Sequence, residues 1–271
     1  MTSDVWFLDV WGVMHNGETP FTSSIIACQS FRERGGYVLL LTNSPRSSFA
    51  VTAQLDLMGI PRTAYDNLVT SGDVTRNIIR DWDENIIYHL GPERNREIFQ
   101  DLEISFGTPL TSNRIVCTGL LNDIEDTPED YMTILKTFLN RDVKMLCVNP
   151  DLRVERGRTI VHCAGAIAKT YEDLGGEVIY SGKPFAPIYE LALLKVTRDF
   201  NKEFAKERIL AIGDGVFTDI RGASAFGIRS VFIASGIHVD RTKPIDFKTL
   251  SKLFETSLNG QPVAVMSELR W

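Results

Sequence analysis

The chain has 271 residues, 44% hydrophobic and 24% charged, which is the make-up of an ordinary folded protein with length for one large or two moderate cores. It holds no run of eighteen apolar residues that would span a membrane, and no basic stretch leading into an apolar one, so a cytoplasmic protein without membrane contact is expected. Net charge is −6, and all of that excess falls in residues 82–175, where ten Lys and Arg face sixteen Asp and Glu; such a segment would repel a nucleic acid.

The first element is the apolar run Val5-Trp6-Phe7-Leu8, which ends on the carboxylate of Asp9 and breaks at Gly12. It reads as a buried strand that delivers Asp9 to its carboxyl end, where open parallel sheets bind their ligands. Thr22 is placed to cap a helix carrying Ile25, Ile26 and Phe31, which Gly35-Gly36 ends. Tyr37 to Leu41 is a second buried strand ending at Thr42-Asn43-Ser44. Ser44-Pro45 then reads as a cap and first-turn proline for a helix with Val51, Leu55 and Met58 on one face. Asn67 to Thr70 makes a third strand, with Ser71 capping a helix that bears Val74, Ile78 and Ile79. Three strand-helix pairs in a row predict a parallel sheet with right-handed crossovers.

From about Trp82 new strands are expected at Ile86–Leu90, Arg114–Thr118 and Lys144–Val148. Thr127-Pro128-Glu129 opens a helix with Tyr131, Ile134, Leu135 and Phe138 at helical spacing, Val154 to Val161 suits a hairpin or a bulged strand, and Ala164 to Leu174 is a helix closed by Gly175-Gly176. Residues 82–175 are therefore expected to form an inserted α/β domain. The first pattern then resumes: Glu177 to Tyr180 leads into Ser181-Gly182-Lys183-Pro184 and a helix through Val196, and the strand Ile209–Ile212 ends in Gly213-Asp214-Gly215. Thr218-Asp219 opens a helix that Gly227 ends, Arg229 to Ala234 is a strand, and a helix is expected around Lys248 to Leu258 before an apolar tail packed on the sheet. Cys28, Cys117, Cys147 and Cys163 share no CxxC spacing and read as reduced core thiols.

The polar residues at the carboxyl ends of these strands combine into one chemistry. Taken singly, Thr42-Asn43-Ser44 serves as a helix cap, Gly213-Asp214-Gly215 as a turn and Lys183 as a loop charge. Taken together, the strands ending at Asp9 and Asp214 would flank the topological switch, and two carboxylates there need a cation between them, for which the oxygen donors suit Mg²⁺. The Thr42 hydroxyl and neighbouring amides could bind phosphate oxygens, Lys183 would supply a point charge, and Asp9 could attack phosphorus.

The motifs Asp9-Val10-Trp11-Gly12-Val13, Leu41-Thr42-Asn43-Ser44, Gly182-Lys183-Pro184 and Gly213-Asp214-Gly215-Val216-Phe217-Thr218-Asp219-Ile220 resemble those of the haloacid dehalogenase-like (HAD) superfamily. Thr70-Ser71-Gly72, Asn149-Pro150-Asp151 and Ala164-Gly165-Ala166 resemble its subfamily IIA, the NagD-like and p-nitrophenyl phosphatase-like proteins. The resemblance implies a Rossmann-like α/β core over residues 1–81 and 176–271 with an inserted α/β cap of C2 type over 82–175. It implies Asp9 as nucleophile and Lys183 as the residue that steadies the phosphoaspartate. Mg²⁺ would be held by Asp9, Asp214 and the Trp11 backbone carbonyl, and phosphate by Thr42, Asn43 and Lys183, with Asp219 orienting Lys183 or metal-bound water. The partner would be a small phosphorylated metabolite, with room for a homodimer, and Asn149 and Asp151, with His162 and Cys163, are cap candidates for specificity.

One departure stands out: the family's phosphatases read Asp-x-Asp in the first motif, the second Asp protonating the leaving group, and here that position is Trp11. His15 is the candidate replacement acid. Three readings follow. The first is a Mg²⁺-dependent hydrolase of sugar, aryl or acyl phosphates; the second is a phosphate-ligand binding or sensor protein with weakened catalysis; the third is a non-phosphoryl relative such as a dehalogenase.

Overall fold

The computed structural model describes residues 3–83, 86–156, 159–234, 254 and 260–271. In β1 (Val5–Leu8) every side chain is buried, and the strand's period of two sends Trp6 and Leu8 to one apolar cluster and Val5 and Phe7 to another, so both faces of its sheet are covered. The chain continues through α1 (Thr22–Glu33), β2 (Tyr37–Thr42), α2 (Ser48–Leu57), β3 (Asn67–Thr70) and α3 (Ser71–Arg80). After a second α/β segment it returns as α6 (Ala186–Phe200), β11 (Ile209–Gly213), α7 (Arg221–Phe226), β12 (Arg229–Ile233) and β13 (Ala264–Met266). The six strands are all parallel, in the order β13-β12-β11-β1-β2-β3, so the strands ending at Asp9 and Gly213 are neighbours and the connectivity reverses beside β1. Ala27, Phe31, Val51 and Leu55 from α1 and α2 cover one face. Val74, Ile188, Ala192 and Ala223 from α3, α6 and α7 cover the other.

The intervening segment builds its own sheet from β4 (Ile86–Leu90), β5 (Ser105–Phe106), β6 (Arg114–Cys117) and β7 (Lys144–Cys147), with α4 (Met132–Leu139) following a short 3-10 turn. Next come the antiparallel hairpin β8 (Arg153–Arg156) and β9 (Thr159–His162), then α5 (Ala164–Asp173) and β10 (Val178–Tyr180). The second sheet is also parallel, in the order β10-β7-β6-β4-β5. The expected return to the first sheet at residue 176 is therefore early: Val178, Ile179 and Tyr180 pair with Met145, Leu146 and Cys147, and the insertion keeps the chain until Tyr180. A three-residue strand carries too little pattern to say which sheet it joins.

Helix starts shift for similar reasons. Helix α1 begins at Thr22 after Phe21 with no side-chain cap, and Ile26 faces outward, 54% exposed. Ser47, not Ser44, caps α2, accepting from the Ala50 N–H, and it is held there by Glu97, whose carboxylate takes both its backbone N–H and its hydroxyl. At α3 the cap is Thr70 rather than Ser71, in a reciprocal box with Asp73. Thr127, expected to open the next helix, pairs reciprocally with Asp130 at the head of the 3-10 turn Pro128–Tyr131 that leads into α4, and α6 runs past Val196 to Phe200. All four cysteines are buried free thiols. The helix expected around Lys248 to Leu258 lies almost wholly outside the described residues. Among the described residues no helix is long and apolar enough to cross a membrane.

Candidate active site

The carboxyl ends of β1, β2 and β11 meet the loop before α6, and the side chain at the centre is Lys183, 2% exposed. Its ammonium donates to Asp9 Oδ1 at 2.5 Å, Asp219 Oδ1 at 2.7 Å and the Leu41 carbonyl at 2.9 Å, using all three of its protons. Burial opposes the charge on this lysine, but Asp219 and Asp9 outweigh it and hold its pKa above the ordinary range. Asp9 is itself buried. Burial pushes its carboxyl up to about 7 against the pull of Lys183, with Asp219 adding to the rise.

Asn43 fixes Lys183 through its main chain. The Lys183 N–H donates to Asn43 Oδ1 at 2.7 Å while Asn43 Nδ2 donates to the Lys183 carbonyl at 3.1 Å. The second Nδ2 proton goes to Asp151 Oδ1 at 3.0 Å, so the side-chain amide of Asn43 is fully used. A phosphate would meet its backbone N–H or the Thr42 hydroxyl instead. Thr42, also buried, accepts from the Ser44 N–H, which leaves its own O–H proton free to donate.

Asp219 holds Lys183 through Oδ1 and takes the Gly215 N–H on Oδ2 at 3.0 Å, tying the Gly213-Asp214-Gly215 turn to the lysine. The carboxylates of Asp9, Asp214 and Asp219 each bring an oxygen within 4.8 Å of the others. Burial first, then Asp9 and Asp219, drive the Asp214 pKa well above normal against the opposing charge of Lys183. Gly12 makes room for this: with φ +89°, it presents bare backbone where a Cβ would lie 2.1 Å from Asp214 Oδ2. Asp9 and Asp214, converging in a pocket opened by glycine with the Lys183 ammonium engaged on Asp9 Oδ1, fit a hard divalent cation. Asp219 has both oxygens engaged by donors.

Trp11 does not point away from this centre. Its indole N–H donates to the Glu155 carbonyl on β8 at 2.7 Å, and its ring meets His15 edge-on with centroids 5.1 Å apart. His15 is not the replacement acid: it is 2% exposed, burial lowers its pKa to about 4, and Nδ1 accepts from the Gly17 N–H, which fixes a neutral ring. Of the insertion's candidates, Asn149 uses Oδ1 to take the Asp151 N–H, and Asp151 reaches the core through Asn43. Cys163 is buried ahead of α5, and His162 lines the cavity, its Nδ1 buried without a hydrogen-bond partner among the described residues. The cavity above the site is about 800 Å³. Asp9, Thr42, Lys183 and Asp214 form its floor, and Trp11, Leu152, Val154, Phe185 and Phe217 supply apolar wall. Phe185 and Phe217 were not visible as site residues, since an aromatic after a proline or within a turn reads as ordinary packing.

Two family descriptions match this chain: haloacid dehalogenase-like hydrolase over residues 6–105 and HAD-hydrolase-like over residues 180–249. A haloacid dehalogenase-like hydrolase from Brucella suis 1330 superposes with a TM-score of 0.88 at 41% identity, over 98% of this chain and 96% of that one. The chain therefore belongs to the haloacid dehalogenase-like hydrolases. A 4-nitrophenylphosphatase from Thermotoga maritima shares the fold, with a TM-score of 0.74 at 20% identity over 98% of this chain and 95% of that one. A 5'-nucleotidase, YutF of Bacillus subtilis (strain 168), is 22% identical over 86% of this chain and 87% of its own length.

Proposed function

We propose that this chain hydrolyses small phosphate monoesters with Mg²⁺ bound, through an aspartyl phosphate at Asp9. The observation that carries the reading is Lys183, buried between Asp9 and Asp219 at the floor of the cavity. A buried lysine that holds the attacking carboxylate in place and offers its charge to a phosphoryl group is the electrostatic core of such a reaction.

In this reading Asp9 attacks phosphorus and the ester P–O bond breaks; water then attacks phosphorus and returns Asp9 as carboxylate. Thr42 donates its hydroxyl to a phosphoryl oxygen, and Lys183 neutralises charge on Asp9 and on the phosphoryl group. Asp9, Asp214 and the Trp11 carbonyl would hold the Mg²⁺, which supplies the charge neutralisation that lets a dianion approach Asp9. Residues 82–180 act as the cap, and the cavity wall of Trp11, Leu152, Val154, Phe185 and Phe217 favours a small apolar or aryl group on the ester oxygen. An indole cannot protonate an alkoxide, so Trp11 itself gives no help to a leaving group that needs a proton.

The test is release of phosphate from p-nitrophenyl phosphate with Mg²⁺, by the natural chain and by Asp9→Asn. Loss of more than nine-tenths of turnover, about 1.4 kcal/mol or more of barrier, is expected of the variant. Retention of a tenth or more would remove Asp9 from its role, and tight phosphate binding without turnover by the natural chain would favour a binding protein instead.

A further inference from the structure

Resting on that functional reading, we infer that the proton position 11 cannot supply comes from the insertion: Asp151 is the general acid and base of the site. The first support is that Asp151 is held against the core. Its Oδ1 takes Asn43 Nδ2 at 3.0 Å, and its N–H is taken by Asn149 Oδ1 at 3.0 Å, so the Asn149-Pro150-Asp151 turn is locked in shape and docked on the residue that clamps Lys183. Two glycines permit the approach. A Cβ on Gly182 would fall 2.5 Å from Asn43 Oδ1 and 2.7 Å from Pro150, and one on Gly165 would fall 2.6 Å from the Asp151 carbonyl.

The second support is the direction of the proton. The clamp on Lys183 fixes which end of Asn43 is the amide, so Asp151 Oδ1 must be an acceptor. A proton on Asp151 therefore resides on Oδ2, which has no hydrogen-bond partner among the described residues. Asp151 lines the same cavity as Asp9, Thr42, Lys183 and Asp214. Burial pushes its carboxyl up to about 6 against the opposing pull of Lys183 and Asn43, so both protonation states are within reach near neutrality.

Trp11 supplies the third support. Its indole N–H ties down the Glu155 carbonyl, four residues beyond Asp151 on the strand that continues from it. The residue that replaces the family's acid thus anchors the segment that brings a substitute acid to the site. Trp11 is in this sense a positioning residue.

The proton balance closes over both half-reactions. As the Asp9–phosphorus bond forms and the ester P–O bond breaks, Asp151 Oδ2–H passes its proton to the leaving oxygen. The resulting carboxylate then takes a proton from water as the water oxygen bonds to phosphorus and the Asp9–phosphorus bond breaks, which returns Asp9 as carboxylate and Asp151 as acid.

The experiment compares kcat/KM for glycerol phosphate and p-nitrophenyl phosphate, with Mg²⁺, in the natural chain and in Asp151→Asn, which keeps the Oδ1 acceptor. The alkyl-to-aryl ratio should fall at least about tenfold in the variant, because general acid catalysis of about 10² to 10⁴ is lost only where the leaving group needs a proton. In the natural chain the same ratio, corrected for the ionisation of the two substrates, should fall as pH rises through the titration of Asp151. This second measurement needs no variant to fold. Among the described residues, the groups whose charge acts on Asp151 are Lys183, Asp9, Asp214, Asp219, Cys147 and Cys163, and His162, Arg153 and Glu155 share its cavity. The two thiols are held neutral by burial, and the others act alike on both substrates, so they cancel in the ratio. A ratio unchanged within about twofold in Asp151→Asn, or flat with pH in the natural chain, would overturn the assignment while Asp9 chemistry stands. Failure of the natural chain to hydrolyse either ester would overturn the functional reading and this inference with it.

Discussion

Asp219→Asn is a sharper probe of the site than its near-isosteric shape suggests. Donors converge on both oxygens of this carboxylate, the Lys183 ammonium on Oδ1 at 2.7 Å, and on Oδ2 the Gly215 N–H at 3.0 Å with the Thr218 hydroxyl further off at 3.5 Å. A carboxylate accepts from both. An amide accepts with one end only, so the substituted side chain must turn its NH₂ toward either the lysine or the glycine, where donor meets donor. If the lysine loses its partner, a charge-assisted bond worth about 1.5–3 kcal/mol goes, and the buried ammonium keeps only Asp9 and the Leu41 carbonyl. If the glycine does, the turn carrying Asp214 loosens beside Gly12. Either outcome breaks half of a buried charged network, for which a loss of about 3–5 kcal/mol of folding stability is expected. Urea unfolding read by fluorescence and circular dichroism measures it, and turnover of p-nitrophenyl phosphate should fall by at least about tenfold as Lys183 or Asp214 drifts. A stability loss below about 1 kcal/mol with turnover within about threefold of the natural chain would refute the argument that both oxygens are committed.

Three further outcomes are expected. Turnover should vanish in EDTA and return with Mg²⁺, because Asp9 and Asp214 crowd one another without a cation; full activity in chelator would contradict the pairing. Gly12→Ala should weaken Mg²⁺ binding by about tenfold or more in a calorimetric titration, since its Cβ would fall 2.1 Å from Asp214 Oδ2 on a backbone with φ +89°; unaltered affinity would show that Asp214 is not needed there. The Asp151 carboxyl lies at about 6 in the folded chain against an ordinary 3.8, so the folded state holds the extra proton between those values and stability from this group falls as pH rises from about 4 to 6. Asp151→Asn should therefore gain up to about 3 kcal/mol relative to the natural chain between pH 4 and 7, and parallel stability curves would show an unperturbed carboxyl.

What the sequence made legible is what chain direction and period alone can encode. The apolar run into Asp9, the strand into Gly213-Asp214-Gly215 and the lysine after Gly182 each announce a strand end or helix start, and the parallel order brings them together. What escaped depends on partners distant in the chain. Ser44, just before Pro45, reads as the cap of α2, and the cap falls instead to Ser47, which Glu97, fifty residues on, binds. The three residues of β10 match either sheet until Cys147 is seen beside Tyr180. Asn43 resembles a phosphate ligand by position, yet its amide is used up on Lys183 and Asp151 from outside its own segment. Trp11 was legible as a missing acid but not as a tether, because Glu155 accepts through its backbone carbonyl, which no side-chain pattern advertises.

The most direct test of the central claim is chemical capture of the intermediate. The chain is mixed with p-nitrophenyl phosphate labelled in the phosphoryl group, in Mg²⁺, quenched in acid within the first turnovers, digested and mapped by mass spectrometry. A phosphoryl group on Asp9 is expected in the quenched protein, and none in Asp9→Asn. Steady turnover with no protein-bound phosphoryl group, or with the label on a residue other than Asp9, would contradict it.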